Sequence, residues 1–178
     1  MGYYDAIKPI DGVATYDGDF AAWAFEQARR IRALRSNDID IANIAEEIES
    51  LGKGEVSKLE SLIEVILLHL LKWDYQPLLR SASWEISVHK CRHQVERHLR
   101  ENPSLKPVLA AVVTDAYAGA RFEAAKETGL PLQLFPAEIP YGWEEISQRQ
   151  LNRFDPDFLT MRENSRSGDD ALPDQTEI

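Results

Sequence analysis

The sequence predicts an all-α fold: a single-domain bundle of about five helices followed by a proline-rich C-terminal strap. Apolar residues recur at a three-four spacing through most of the chain, which is the pattern of amphipathic helices. No segment keeps the alternation with a period of two that strands show. Short turns rich in glycine or proline separate the periodic segments, as they do between antiparallel helices of a bundle.

The first two predicted helices cover 18–36 and 41–51, where apolar residues mark one face of each. Asp17 or Asp19 can cap the first helix, because a carboxylate accepts hydrogen bonds from the free amide groups of a first turn. The two glycines of "GKG" at 52–54 are expected to end the second helix or at least to kink it.

The third predicted helix covers about 55–73 and is apolar over a wide face, which indicates a helix in the middle of the bundle. Pro77 cannot continue this helix, because it lacks an amide proton and its ring clashes with the preceding turn. A corner therefore follows. Ser81 or Ser83 can cap a fourth helix, which runs to the "ENPS" turn.

The fifth predicted helix covers roughly 105–128 and ends at Gly129. Beyond it, "LPLQLFPAEIPYGW" contains three prolines among large apolar residues, so it fits no regular element. We expect this segment to be an ordered strap laid across the bundle. A short helix is predicted near 143–150.

The chain of 178 residues is long enough for one domain with a terminal extension. The helical domain is assigned to residues 15–160, after an N-terminal extension at 1–14. Residues 162–178 are polar and contain too few apolar side chains to offset the entropy of ordering, which predicts a disordered tail.

Composition and charge exclude several classes of function. The formal net charge of −10 argues against a nucleic-acid surface and against binding to anionic membranes. No apolar run reaches the roughly 20 residues of a membrane span, and the N-terminus lacks the pattern of a secretory signal. The single cysteine, Cys91, excludes an internal disulfide and a cysteine-rich metal site. We therefore expect a cytoplasmic protein.

Several motifs, taken in order, resemble those of a known family. They are "YDGDFAAWAFEQARRIR", "IANIAEEIESLG", "HLLKWDYQP", "SW", "ENPSLKP", "ETGLPLQLFP" and "PY". Together they resemble the bacterial "domain of unknown function 29" family over roughly residues 15–150. The resemblance implies a compact helical bundle. It implies no catalytic residues, because no activity is established for the family.

Polar and aromatic side chains are dense at the predicted corner, in "HLLKWDYQPLLRSASW" at 69–84. The candidate ligand-binding residues there are Lys72, Trp73, Tyr75, Arg80 and Trp84. His69 is a candidate catalytic residue, predicted to be half-buried and to need a hydrogen-bond partner. The same side chains could simply brace the corner, or they could line a small pocket for an anionic group.

Glu47 is the second catalytic candidate. It borders the apolar stripe of the second predicted helix, where partial burial could raise the pKa of a carboxyl group. If the second and third predicted helices pack together, His69 could join Glu47. The alternative is that Glu47 pairs with a lysine or arginine of a neighbouring helix.

His89, His93 and Glu96 follow one another at helical spacing on the fourth predicted helix. This spacing suits zinc, but the stripe lies opposite the apolar seam that contains Cys91, so any metal binding there would be adventitious. We therefore assign no metal site. Cys91, on the seam itself, is expected to be an inert buried thiol.

Two functions from different classes remain open. The first is a non-enzymatic module that binds another protein or associates with itself, which the strap at 130–143 would support if it exposes an apolar patch. The alternative is a small-ligand- or metal-dependent enzyme with a site between predicted helices two, three and four, using Glu47, His69 and Arg80. No phosphate loop, dinucleotide fingerprint or nucleophile elbow is present, so no cofactor is predicted.

Overall fold

The computed structural model describes residues 3–9, 12, 14–34 and 39–152. Within these residues the chain forms helices and no strand, which confirms the predicted all-α bundle. The helices are α1 (Phe20–Arg32), α2 (Ile41–Tyr75), α3 (Ala82–Glu101), α4 (Leu109–Thr128) and α5 (Trp143–Gln148). Short 3-10 helices are found at Tyr3–Ala6, Pro77–Leu79, Pro103–Val108 and Leu132–Leu134.

Helix α2 runs without interruption for 35 residues through the centre of the bundle. The prediction of two helices separated at 52–54 was therefore wrong, because both glycines lie inside α2. Gly52 is buried, and a Cβ atom there would lie 2.8 Å from the ring of Phe25 on α1. The glycine thus allows two helices to approach closely, and the tertiary contact outweighs the low helix propensity of glycine.

The start of α1 is fastened to the turn that follows α3. Asp19 caps α1 by accepting a hydrogen bond from the Ala22 amide at 3.0 Å, as one of the two predicted alternatives requires. Its carboxylate also accepts hydrogen bonds from the amide and the hydroxyl of Ser104. Asn102 completes the link, because its side-chain oxygen accepts from the Ala21 amide at 3.1 Å.

Helix α2 ends at the predicted proline corner, and α3 returns antiparallel to it. The backbone amide of Gln76 bonds to the Lys72 carbonyl, and Pro77 then begins a single 3-10 turn. Ser81 is the N-cap residue of α3, although its hydroxyl pairs with Ser83 rather than with a free amide of the helix.

Helix α4 runs parallel to α2. The same spacing of 55 residues separates Glu64 from Gly119, which lie in contact, and Lys72 from Glu127, which form an ion pair. The α-helix begins at Leu109 rather than near 105, because Pro103–Val108 adopts the tighter 3-10 conformation. It ends as predicted at Gly129, whose φ of 70° suits a glycine.

The proline-rich segment packs against the bundle as a strap. Phe135 and Tyr141 are buried, and Ile139 is partly buried against the core. The Tyr117 hydroxyl donates to the Pro136 carbonyl at 2.8 Å, and Arg121 donates to the carbonyl of Phe135. The strap therefore presents less apolar surface than an unpacked segment would.

The N-terminal segment contributes to the core. Within 1–14, Ile7 is fully buried and belongs to the same core as the helices. The predicted tail at 162–178 lies outside the described residues. Among the helices of the described ranges, none combines the length and the apolarity needed to cross a bilayer.

Candidate functional site

The corner between α2 and α3 brings together most of the residues that the sequence singled out. Lys72 is buried, with its Nζ 2.5 Å from the carboxylate of Glu127 on α4 and 4.6 Å from the ring centroid of Trp84 on α3. One ammonium group thus joins three helices through a charge-assisted hydrogen bond and a cation–π contact.

His69 lies one turn before Lys72 and stacks on Trp84, with 6.3 Å between the ring centroids. Its Nδ1 atom is buried, and no described residue forms a hydrogen bond with it. Burial lowers the pKa of His69, and the charge of Lys72 lowers it further, whereas Glu127 raises it. The lowered pKa favours the neutral imidazole, and its buried nitrogen suits the unprotonated form.

Trp73 and Arg80 close the other side of the corner. Trp73 is buried, and the Arg80 guanidinium lies 5.1 Å from its ring centroid. Arg80 also donates from Nε to the Trp73 carbonyl at 3.0 Å, which satisfies an acceptor left free at the end of α2. Tyr75 contacts Phe135 of the strap, with ring centroids 4.8 Å apart. Trp73 and Arg80 thus contact each other, and Tyr75 contacts the strap.

The sequence interpretation missed an ionic group beside the corner. Asp74 accepts two hydrogen bonds from Arg149, at 2.6 and 2.9 Å, and one from the Tyr141 hydroxyl at 2.8 Å. Arg92 of α3 donates to the carbonyl groups of Glu145, Ile146 and Arg149. These bonds hold α5 against α2 and α3. The residues are too far apart in sequence to be paired without the fold.

The structure separates the two catalytic candidates. Glu47 and His69 lie on the same helix, 22 residues apart, which corresponds to about 33 Å along the axis. Glu47 is exposed. The expectation that they meet between two packed helices was therefore wrong, since those two predicted helices are one. Arg80 lies at the His69 end of α2 and cannot share a site with Glu47.

The stripe on α3 faces solvent, as His89, His93 and Glu96 are all exposed. The two histidines line an open groove of about 520 Å³ together with Ile86, Lys90, Gln94 and Arg97. Within the described ranges, no three His, Cys, Asp or Glu side chains are arranged to hold a metal ion. Cys91 is buried, and burial raises the pKa of its thiol, which disfavours a reactive thiolate.

The sequence did not predict that the first hairpin of the chain projects from the rest of the bundle. The first part of α2, up to Gly54, and helix α1 form a hairpin that we call the α1–α2 arm. His98, in the last turn of α3, is level with Glu55, whose carbonyl lies 2.9 Å from His98 Nε2. The start of α4, Leu109, is level with Gly54 by the spacing of 55 residues. The arm therefore extends beyond α3 and α4.

The arm exposes an apolar stripe on α2. Ile44 and Leu51 keep 43 % and 50 % of their surface exposed, and Ile48 between them is only partly buried. Leu34 and Ile39, at the end of the hairpin, are 60 % and 57 % exposed. The sequence predicted an amphipathic helix here, but the contact with α1 buries Ala45 and Gly52 rather than the stripe.

The fold and the corner define a class: an all-α helical bundle whose central helix is braced by α3, α4 and a strap, and whose first hairpin projects. The chain belongs to the domain of unknown function DUF29 family, since the family model matches residues 15–151. Neither the curated proteins nor the solved structures contain a match.

Proposed function

We propose that the protein is a non-enzymatic interaction module, which binds another polypeptide chain through the α1–α2 arm. The observation that supports this proposal is the stripe formed by Ile44, Ile48 and Leu51. It has the apolar periodicity of a buried helix face, yet Ile44 and Leu51 are exposed and Ile48 is only partly buried in the single chain. An apolar face of this kind is stabilised when a second surface removes it from water.

The contacts of the corner residues support a structural role for the corner rather than a catalytic one. Lys72, Trp73 and Arg80 each use their polar groups or rings within the bundle, and Glu47 lies far from all of them. The leading sequence hypothesis of an interaction module is therefore kept, but its surface moves from the strap to the arm.

Site-specific photo-crosslinking in cells tests the proposal. A photoreactive phenylalanine analogue replaces Ile44 in the full chain, and we expect a discrete crosslinked product when the cells are irradiated. The matched control carries the analogue at Ile86, which is 64 % exposed but lies on α3 away from the arm. A discrete product at Ile44 that disappears in the Leu51→Asp background supports the proposal. No discrete product at Ile44, or equal products at both positions, contradicts it.

A further inference from the structure

We infer that the partner of the α1–α2 arm is a second copy of this chain, and that the two arms pack face to face with α1 of each copy against α2 of the other. This inference rests on the proposed function and names its partner. It is carried by the distribution of charge on the two helices of the arm.

The two helices of the arm have opposite charge. Helix α1 contains one glutamate, Glu26, and three arginines, Arg29, Arg30 and Arg32, so its net charge is +2. On the α2 side, residues 40–54 contain one aspartate, three glutamates and one lysine, which gives −3. Because one arm contains both a basic helix and an acidic helix, the basic α1 of each copy can pack against the acidic α2 of the other.

Among the described residues, one side of the arm is left open. On the other side, Tyr4 packs on Phe25 with ring centroids 5.8 Å apart, and Lys53 Nζ lies 6.0 Å from the centroid of the Tyr4 ring. An ion pair between Arg32 and Glu49 crosses the same side. The apolar stripe lies about 90° around α2 from its contact with α1, on the side away from these groups.

Charged residues border the open side at both edges. Successive residues turn by about 100° around a helix, so Glu47 lies about 60° from Ile44 at the outer edge of the stripe. On α1, Arg30 lies one turn before Leu34, at the opposite edge. Within the described part of the chain, Arg30 bonds to Glu26 of its own helix at 2.8 Å, and its side chain is 69 % exposed. Such an intrahelical pair is weak and can be exchanged for a better partner.

The charges select between two symmetric arrangements. If the twofold axis runs along the arm, α1 of one copy faces α2 of the other, and Arg30 of each meets Glu47 of its mate. If the axis crosses the arm, α1 faces α1, and like charges oppose each other at both edges. Opposite charges attract and like charges repel, so the first arrangement is favoured.

Sedimentation or light scattering of the purified full chain tests the assembly. We expect twice the chain mass of 20.2 kDa, and a monomer when Ile44 and Leu51 are both replaced by Asp. Arg30→Glu and Glu47→Arg should each weaken association roughly fivefold to tenfold, and the double variant should restore it. The matched controls are Arg29→Glu and Glu46→Arg, which reverse exposed charges away from the open side and should have little effect.

Each outcome has a distinct meaning. A monomer at all concentrations, a dimer that survives the two Asp substitutions, or a double variant no better than the single ones would overturn this inference. A monomeric chain that still crosslinks from Ile44 to a different protein overturns the second copy as partner but leaves the proposed function standing. A crosslinked product of twice the chain mass supports both.

Discussion

Asp19 and Ser104 lie 85 residues apart in the chain and are joined by two hydrogen bonds, of 2.8 Å from the Ser104 amide and 2.7 Å from its hydroxyl. The same carboxylate caps α1 by accepting from the Ala22 amide. One buried side chain therefore both begins a helix and fixes its position against the turn after α3.

Asp19→Ala is expected to lower the free energy of unfolding by about 2–3 kcal/mol, because it removes a helix cap and leaves buried donors without acceptors. Urea denaturation measures the change. Asp17→Ala is the control, since Asp17 is exposed and should change stability by less than about 0.5 kcal/mol. Equal effects of the two substitutions would show that the bonds of Asp19 contribute little.

Gly52 and Gly54 lie two residues apart in α2 and should respond in opposite ways to alanine. Gly52→Ala is expected to cost about 1–3 kcal/mol, because the new methyl group would overlap the ring of Phe25. Gly54→Ala should stabilise by about 0.5–1 kcal/mol, since no atom of the described residues lies within 4 Å of its Cβ position and alanine favours a helix. Thermal and urea unfolding of both variants measure this. Two changes of the same sign would contradict the close packing of α1 on α2.

Some features of the fold could be predicted from the sequence, and others could not. The Asp19 cap and the end of α4 at Gly129 follow from local rules, so they could be predicted. The continuity of α2 through Gly52 could not, because it depends on Phe25 in another helix. The same reason applies to the ion pair between Lys72 and Glu127, which requires α4 to lie parallel to α2.

The arm shows a second limit of the sequence. Periodicity identified Ile44, Ile48 and Leu51 as one apolar face, but it does not state which surface covers that face. Within the described residues α1 covers the neighbouring face instead, through Ala45 and Gly52. An exposed stripe could therefore be recognised only once the packing of α1 was known.

The pH dependence of stability should report on His69. Burial, and then the charge of Lys72, lower the pKa of this imidazole, so the unfolded chain binds its proton more readily than the folded chain does. The contribution of His69 is then fully present above its unfolded pKa of about 6.5 and is lost as the pH falls toward the lower folded value. We expect the wild type to lose stability relative to His69→Leu as the pH is lowered from 7.5 to 5.

Urea unfolding at several pH values measures this difference. Only the change in the difference with pH is informative, because His69→Leu can alter stability by a constant amount through packing. Parallel curves for the two proteins would show that the buried nitrogen of His69 is not a protonation site coupled to folding.

The bidentate pair of Asp74 and Arg149 should couple α5 to α2. Both side chains are partly exposed, at 27 % and 31 %, so we expect a coupling energy of about 1 kcal/mol in a cycle of Asp74→Asn and Arg149→Gln. The control cycle is Glu123 with Lys126, an exposed pair within α4 that should give about 0.3 kcal/mol. Coupling energies that do not differ would mean that the pair does not hold α5.

Glu60 should change the stability with pH in the direction opposite to His69. Burial raises the pKa of this carboxyl group, and the charges of Asp115 and Glu64 raise it further. Ionised Glu60 is therefore less favourable in the folded protein than in the unfolded chain, so its contribution falls as the pH rises through the interval above 4.5. Glu60→Gln removes this cost and should stabilise the protein at pH 7, with the gain disappearing as the pH falls below 4.5. Glu46→Gln, on the exposed part of the same helix, should show no such gain. If Glu60→Gln destabilises the protein at pH 7, the carboxylate makes a favourable interaction that outweighs its burial and its acidic neighbours.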